Sequence, residues 1–262
     1  MANELKAAFF DVDWTLFDHK AKRYVPSGIE AIKELKHRGV KVFICSARPY
    51  ESLRLFGAFD QGVKWDGFIA CAGAYAVVGG KTIRKLSMPK GQVRTLVNLA
   101  NKHGFVIQLV TPRTRFLTAQ RNEYVDSYES RFHDDVYKVH PYYGEDVVGM
   151  LLFAPEEYDS EFISAWPGTS VFRFDKYGVD VYDVEHVKGE AIADVLSHLG
   201  IPKEQSIGFG DDVQDASMKG VVGTFVCMGN GKPEVKEQAD YVTSRIDEDG
   251  VMQALRHFGY ID

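Results

Sequence analysis

Two carboxylates, separated by one residue, follow an apolar stretch close to the amino terminus. The stretch Ala7–Phe10 is typical of a buried strand, and Asp11 and Asp13 come directly after it. Ligands of an open α/β sheet bind outside the carboxyl ends of its strands, so both side chains would lie where chemistry can occur. Taken alone, the pattern fits equally well a turn cap beside a solvated loop charge.

Two later stretches favour the functional interpretation. An apolar strand over residues 40–45 ends at Ser46, and another over 206–210 ends at Asp211, with Asp215 four residues later. The carboxyl ends of parallel strands share one edge, so residues from distant parts of the chain can meet there. Carboxylates without histidine or cysteine partners form a hard oxygen environment, which suits Mg²⁺ retained with several waters. The sequence therefore predicts a magnesium site that could also hold a phosphate.

The elements that must position these residues alternate between strand and helix in the first and last parts of the chain. Ser27 and Glu30 have the spacing of a capping box, which predicts that Ser27 caps the first helix. Pro49 suits the first turn of a second helix that extends to about Phe59. Lys188 directly precedes a further predicted helix. This alternation predicts an α/β fold with a Rossmann-like, doubly wound and mainly parallel sheet.

The middle of the chain has a different pattern. From about Met88 onwards, helices are mixed with strands that look antiparallel. Such a change favours a separate α+β domain inserted into the first one. We therefore predict a core domain formed by residues 1–84 and 186–262, with an inserted α+β domain over residues 85–185.

The composition limits the class of protein. The chain has 262 residues, 45% of them hydrophobic, and a formal net charge of -6 without a basic block, which argues against nucleic-acid and anionic-membrane partners. The amino terminus lacks a signal-peptide pattern, and no apolar stretch approaches the roughly 20 residues of a membrane helix, so we expect a cytoplasmic protein. The three cysteines, Cys45, Cys71 and Cys227, lie in apolar runs and are predicted to be buried free thiols.

Four motifs in order resemble those of the haloacid dehalogenase superfamily of phosphotransferases, and specifically its Cof-like sugar-phosphatase branch. The matching residues are Asp11-Val12-Asp13-Trp14-Thr15, Ser46, Lys188-Gly189 and Gly210-Asp211-Asp212-Val213-Gln214-Asp215. A later stretch, Met228-Gly229-Asn230-Gly231, also resembles that branch, although a turn is the simpler interpretation of its glycines. The resemblance covers nearly the whole chain.

The resemblance implies roles for the acidic residues. Asp11 would attack phosphorus and form an aspartyl-phosphate, and Asp13 would act as general acid and then as general base. Mg²⁺ would be held by the Asp11 carboxylate, the Asp13 carbonyl oxygen and the Asp211 carboxylate, while Asp215 steadies the water shell.

The resemblance also implies a set of phosphate-binding groups. Ser46, the amide of Ala47, Lys188 and Gln214 would gather the phosphate oxygens and spread their charge in the transition state. Each has a simpler interpretation: Ser46 could cap the following helix, and Lys188 could be an exposed lysine at a helix start.

Three positions depart from the family pattern. Trp14 and Ala47 stand where glycine is usual, and Gln214 replaces asparagine with a longer amide. Trp14 would put a bulky ring on the nucleophile loop and would need a shifted backbone if that position requires positive φ. These departures concern rate and substrate fit more than reaction type.

In this family, an insert between the second and third motifs is the larger type of cap domain, which closes over the site and selects the substrate. Five residues are candidate cap contacts, although surface side chains are the simpler interpretation of each: Arg113, Arg115, Arg173, Tyr177 and Asp180.

We therefore predict a Mg²⁺-dependent phosphatase of phosphorylated sugars or similar small metabolites, with no nucleic-acid or membrane partner. A sugar phosphomutase is one alternative, because mutases share these motifs and this cap type. A non-catalytic phosphometabolite-binding protein, in which Trp14 blocks turnover, is another, although a binder would have no use for Asp13. The sequence does not indicate the oligomeric state.

Overall fold

The computed structural model describes residues 4–132, 138–167, 169–183 and 187–262. By its internal contacts the chain divides into two compact units. The first comprises Met1–Arg48, Leu53–Arg84 and Val187–Asp262, and the second comprises Pro49–Ser52 and Lys85–His186. The predicted domain boundary between residues 185 and 186 lies outside the described residues.

The first unit takes its strands and helices from both ends of the chain, and the second unit takes most of its elements from the middle. The amino-terminal part contains β1 (Ala7–Phe10), β2 (Phe17–Asp18), β3 (Arg23–Tyr24), α1 (Pro26–His37), β4 (Lys41–Cys45), α2 (Tyr50–Leu55), β5 (Gly67–Ala70), β6 (Tyr75–Val78) and β7 (Lys81–Lys85). The middle of the chain contains α3 (Lys90–His103), β8 (Val106–Val110), β9 (Arg115–Leu117), α4 (Glu123–Phe132), β10 (Lys138–Val139), β11 (Gly149–Phe153), α5 (Asp159–Ala165), β12 (Thr169–Asp175) and β13 (Gly178–Asp183). The carboxyl-terminal part contains α6 (Lys188–Leu199), β14 (Ser206–Gly210), β15 (Thr224–Cys227), α7 (Pro233–Lys236), β16 (Tyr241–Val242) and α8 (Gly250–His257).

The first unit is built on an eight-stranded sheet with the order β16-β15-β14-β1-β4-β5-β6-β7. Strands β16 to β5 in that order pair in parallel, and β6 then pairs with β5 in the antiparallel sense. The hairpin of β6 and β7 turns at Gly79 and Gly80, which both have positive φ. The two strands on either side of β1 are β14 and β4, so the three strands of the predicted site are immediate neighbours.

Both faces of this sheet are covered by apolar side chains, as expected of a doubly wound fold. Phe10 packs with Ile32 of α1 and Leu255 of α8 on one face. Its neighbour Phe9 packs with Ile192 of α6 on the other face. Each fully buried side chain of this size contributes roughly 1.5–3 kcal/mol to folding. The predicted fold class, a mainly parallel α/β core with an additional α+β unit, is confirmed.

The second unit contains a six-stranded sheet with the order β10-β9-β8-β11-β13-β12. Its strands pair in the antiparallel sense, apart from β10 beside β9. Residues of α3 and α5, such as Leu96 and Phe162, pack on one face of this sheet with Ile107 and Met150. The mixture of helices and antiparallel strands is therefore the one that the sequence predicts.

Two local predictions were wrong. Helix α1 begins at Pro26, with Val25 at the N-cap and no side-chain cap, because the fixed φ of proline suits the first helical position. Ser27 is inside the helix, and its hydroxyl donates a hydrogen bond to Asp249 Oδ1 (2.5 Å) instead. Helix α2 ends at Leu55, short of the predicted end, and is followed by Gly57 with a φ of 71°. Left-handed glycine conformations commonly terminate helices.

None of the helices within the described ranges combines the length and the apolar character that are needed to cross a bilayer. The three cysteines are free and buried, as predicted.

Candidate active site

Three neighbouring strands deliver the predicted functional residues to one edge of the parallel sheet. Asp11 follows β1, Ser46 follows β4, and Asp211 follows β14. All three side chains are at least nine-tenths buried. The parallel register brings residues from both ends of the chain to the same edge, as the sequence predicted.

The deepest part of the site is a group of three aspartates around one lysine. Asp11, Asp211 and Asp215 each place a carboxylate oxygen within 4.8 Å of the others. The Lys188 ammonium donates hydrogen bonds to Asp11 Oδ1 (2.7 Å) and Asp215 Oδ1 (2.6 Å). Lys188 is 3% exposed, so it is an internal bridge and not a surface lysine at a helix start.

Asp215 organises the loop after β14 through its second oxygen. Asp215 Oδ2 accepts hydrogen bonds from the amides of Asp211 and Asp212, both at 3.0 Å. Gly210 makes this arrangement possible, because a Cβ at that position would lie 2.3 Å from Asp215 Cγ. The Asp215 carboxylate therefore holds the backbone of Asp211 and Asp212 in place.

Burial and nearby carboxylates make Asp11 and Asp211 difficult to ionise. Burial raises the pKa of Asp11 well above its usual value, and Asp215 and Asp211 add to this although Lys188 opposes it. Burial, Asp215 and Asp212 raise the pKa of Asp211 to about 7. Burial lowers the pKa of Lys188, but the attraction of Asp11 and Asp215 outweighs it and raises that pKa overall. Full ionisation of the group thus requires more positive charge than Lys188 supplies.

The donor set of this group fits a hard divalent cation. Three carboxylates and one ammonium leave two negative charges uncompensated when all four groups are ionised. Oxygen-only ligands without imidazole or thiolate are the set that Mg²⁺ prefers. The residues therefore fit the Mg²⁺ that the resemblance implies.

Asp13, two residues after Asp11, lies in a contrasting environment. Arg48 binds its carboxylate with two nitrogens, Nε to Oδ2 (2.8 Å) and Nη2 to Oδ1 (2.7 Å). His19 Nε2 is 2.6 Å from the same Oδ1. Burial opposes ionisation of Asp13, but the hydrogen bonds from His19 and Arg48 outweigh burial and lower its pKa well below the usual range. The structure thus holds Asp13 as a carboxylate.

Arg48 and His19 are the two residues of the site that sequence reasoning missed. The guanidinium of Arg48 lies 3.9 Å from the Phe56 ring centroid, a cation–π contact that fixes its plane. The His19 ring contacts the rings of Trp14 (5.1 Å) and Phe17 (5.0 Å). A cation two residues after Ser46 was a usable signal for Arg48, whereas nothing in the sequence singled out His19.

The nucleophile loop has an unusual backbone at Trp14. Trp14 has a φ of 59°, the left-handed region in which glycine is the ordinary residue. A non-glycine residue in this region costs on the order of 1–3 kcal/mol and persists where its surroundings enforce it. The Trp14 amide donates to the Phe17 carbonyl (2.9 Å), and the Thr15 hydroxyl donates to Asp211 Oδ1 (3.4 Å). The loop therefore keeps the glycine-type backbone despite the tryptophan.

The predicted phosphate-binding residues differ in burial and in hydrogen bonding. The Ser46 hydroxyl accepts a hydrogen bond from the Arg48 amide (3.1 Å), a local turn that is distinct from a cap on α2, which begins at Tyr50. Ala47 is exposed on the same loop. Gln214 is partly buried, and within the described residues its side-chain amide makes no hydrogen bond.

The predicted cap residues also differ from one another. Arg173 is held within its own unit, by Asp159 through Nε (2.9 Å) and by the carbonyl of Ala154. Arg115 is 2% exposed, whereas Arg113 is exposed. The Tyr177 ring contacts that of Tyr124 at 4.8 Å, and Asp180 is paired with Leu151 across β13 and β11.

Comparisons with known proteins agree with this geometry. The family model described as haloacid dehalogenase-like hydrolase matches residues 8–255, which include every acidic residue of the site. The chain belongs to this family. Among curated relatives of this haloacid dehalogenase-like hydrolase is the putative phosphatase YkrA of Bacillus subtilis, which is 30% identical over 262 residues, 98% of each chain.

Solved structures of similar proteins have the same architecture. A hypothetical protein from Geobacillus kaustophilus has a TM-score of 0.92 and 29% identity, over 98% of this chain and 100% of its own. The HAD subclass IIB sugar phosphatase BT4131 has a TM-score of 0.81 and 31% identity over the same shares. The chain is a phosphatase of the haloacid dehalogenase-like family, whose substrates are small phosphorylated compounds.

Proposed function

We propose that the protein is a Mg²⁺-dependent phosphomonoester hydrolase that acts on sugar phosphates or similar small phosphorylated metabolites through an aspartyl-phosphate on Asp11. The observation that carries the proposal is the buried group of Asp11, Asp211, Asp215 and Lys188 at one strand edge. Ionising Asp11 and Asp211 in this buried position is costly without a bound cation, and a purely structural role would not require three carboxylates to meet there.

In the first step, a carboxylate oxygen of Asp11 attacks phosphorus and the bond from phosphorus to the leaving alcohol breaks. The alcohol oxygen takes its proton from Asp13. In the second step, water attacks the same phosphorus, Asp13 accepts its proton, and phosphate and the Asp11 carboxylate are released. Dividing one displacement into two in this way is the general benefit of covalent catalysis.

The contacts of Asp13 favour the ionised form that a base requires, although the same contacts lower its basicity. Arg48 and His19 hold Asp13 as an anion, the form that accepts a proton from water. Donation in the first step requires that the carboxyl takes up a proton and loosens its contact with Arg48. General acid–base catalysis of this kind contributes roughly 10²–10⁴-fold to the rate.

The residues proposed to bind the metal and the phosphate lie at the same edge of the parallel sheet. Asp11, Asp211 and the main-chain carbonyl of Asp13 would hold Mg²⁺, with Asp215 positioning the Asp211 loop. When bound, the ion neutralises charge on the carboxylates and the phosphate. Lys188 adds a positive charge beside Asp11 Oδ1.

We further propose that Ser46, the amide of Ala47 and Gln214 bind the phosphate oxygens, and that residues 85–185 act as a cap that contacts the leaving group. The similarity to the sugar phosphatase BT4131 supports the sugar-phosphate class. A cytoplasmic location and the absence of nucleic-acid partners stay predictions from the sequence.

The test is phosphate release from p-nitrophenyl phosphate and from a panel of sugar phosphates, with Mg²⁺ or with a chelator. We expect release that requires Mg²⁺ and falls by at least about 10³-fold in Asp11→Asn, because the nucleophile is lost. Asp247→Asn, an exposed aspartate, is the matched control. Release that persists with the chelator or in Asp11→Asn would contradict the proposal. Return of a sugar phosphate as its isomer, without free phosphate, would identify a mutase.

A further inference from the structure

The turn Gly229-Asn230-Gly231 is the motif that the proposed function leaves without a role. It follows β15, the strand next to β14, and lies in the same unit as the acidic group. Asn230 is partly buried, and both polar atoms of its side chain are engaged. Its Nδ2 donates to the Trp14 carbonyl oxygen (2.9 Å), and its Oδ1 accepts from the Ile246 amide (2.8 Å).

The two ends of this bridge differ in character. Ile246 is 3% exposed and belongs to the apolar core of the unit, so it provides a fixed anchor. Trp14 has the left-handed backbone described above and directly follows Asp13. Asn230 therefore connects the strained backbone of Trp14 to a residue that is fixed in the core.

The flanking glycines explain why the side chain of Asn230 reaches both partners. A Cβ at Gly229 would lie 2.7 Å from the Arg245 nitrogen, and a Cβ at Gly231 would lie 2.6 Å from Cys227 Sγ. Side chains at either position would push the turn away from these neighbours. The glycines thus allow a close approach of the backbone, which is a specific requirement and not merely a flexible turn.

The same turn is also attached to the loop of the metal-binding aspartate. The amide of Lys232, directly after the turn, donates to the Asp211 carbonyl oxygen (3.0 Å). Asn230 and its neighbours therefore join the loop that contains Asp11 and Asp13 to the loop that contains Asp211. The spacing between these two loops sets the separation of the reacting groups.

We propose that Asn230 is a positioning residue, which fixes the Trp14 peptide and thereby the place of Asp13 relative to Asp11 and Asp211. This inference rests on the proposed function for its kinetic consequence. Its structural basis, the hydrogen bond to the Trp14 carbonyl, is independent of that function. Misplacement of reacting groups by about 1 Å can cost about 10²-fold in rate, so the effect of losing the contact is measurable.

Two variants separate hydrogen bonding from packing and charge. Asn230→Asp keeps the acceptor for Ile246 but turns an oxygen towards the Trp14 carbonyl oxygen. Asn230→Leu fills a similar volume without either hydrogen bond, and Asn230→Ser replaces it should that variant not fold. Asn101→Asp and Asn101→Leu, at an exposed site on α3, are the matched controls.

The experiment combines turnover of p-nitrophenyl phosphate in Mg²⁺ with acrylamide quenching of tryptophan fluorescence. We expect kcat to fall at least about tenfold in both Asn230 variants, with KM within about threefold. Quenching should increase, because Trp14 is released, whereas Trp65 is held by its hydrogen bond to the Ala58 carbonyl and Trp166 lies in the apolar core of the second unit.

Unchanged quenching, or unchanged kcat in either variant, would overturn the inference, as would a loss confined to Asn230→Asp, which would reflect charge alone. A wild-type protein without phosphatase activity would contradict the proposed function instead. In that case the quenching result alone decides whether Asn230 fixes the Trp14 loop.

Discussion

Asp11 and Asp13 are separated by one residue, yet the protein surrounds their carboxyl groups in opposite ways. Asp11 shares its surroundings with Asp211 and Asp215 and has one cationic neighbour, Lys188. Asp13 has Arg48 and His19 within hydrogen-bond distance. Accordingly the pKa of Asp11 is raised and that of Asp13 is lowered.

This difference matches the two roles proposed for these residues, with Asp11 as nucleophile beside a metal ion and Asp13 as general acid and base. The Asp11 side has an excess of negative charge, which a divalent cation would balance. The Asp13 side is already balanced by side chains, so that carboxylate is available as a base without a metal. Asp11 would need the cation to act as an ionised nucleophile, whereas Asp13 is ionised before any metal binds.

The largest effect on stability is expected when the cation beside Asp11 is removed. In Lys188→Met, Asp11 and Asp215 lose the one ammonium that pairs with them among the described residues, while staying buried. Removing one member of a buried ion pair typically costs about 3–5 kcal/mol in the free energy of unfolding. Urea denaturation without metal measures this loss, and Lys64→Met, at an exposed site, should change stability by less than about 0.5 kcal/mol. Equal stabilities of the two variants would mean that Lys188 does not balance the acidic group.

A smaller change is titration of Asp211. Its folded pKa of about 7 exceeds the ordinary value of 3.8, so the folded protein binds more protons than the unfolded chain between those values. The metal-free free energy of unfolding should therefore decrease as pH rises from about 4 to about 7, by on the order of 2 kcal/mol. Thermal melting across this pH range checks the slope.

Asp211→Asn should reduce that slope, with the remainder due to the raised pKa of Asp11, and Asp247→Asn should leave it intact. Mg²⁺ requires the ionised carboxylate, so it should raise the melting temperature more at pH 8 than at pH 5. A melting temperature that rises with pH in the metal-free protein, with the same slope in Asp211→Asn, would refute the raised pKa.

The smallest expected effect comes from the Asp13 side. Arg48→Lys keeps a positive charge but loses the two-nitrogen contact with Asp13 and the stacking on Phe56. We expect kcat to fall about tenfold and the acidic limb of the kcat profile to move to higher pH, because the pKa of Asp13 rises when its partner is weakened. Steady-state kinetics between pH 4 and 9 are the measurement, with Arg54→Lys, an exposed residue of α2, as control. An unshifted acidic limb would show that Arg48 does not set the pKa of Asp13.

The sequence was sufficient to predict which strands deliver the acidic residues, because an apolar run that stops at a carboxylate is a local signal. The resemblance raised the question of a shifted backbone at Trp14, where glycine is usual, but the structure keeps a φ of 59° there. The pairing of Asp13 with Arg48 and His19 was not predictable in the same way. It depends on side-chain orientation and on aromatic packing around Phe56, which the position of Arg48 two residues after Ser46 does not encode.

Local signals also misled where two of them competed. Ser27 has the spacing of a capping box, yet Pro26 occupies the first helical position and moves the helix start by two residues. Similarly, the glycines around Asn230 indicated a simple turn, and only the structure reveals that they bring the amide against two backbone segments. The first case was decided by a neighbouring proline, and the second by contacts between residues that are far apart in the chain.

The division of roles between Asp11 and Asp13 is tested most directly by intact-protein mass spectrometry of Asp13→Asn during reaction with p-nitrophenyl phosphate and Mg²⁺. The p-nitrophenolate leaving group needs no acid, so the first step should proceed while the second step lacks its base. We therefore predict accumulation of one phosphoryl group per chain, mapped to the peptide that contains Asp11. Turnover at the wild-type rate without any adduct, or an adduct on another residue, would contradict the account.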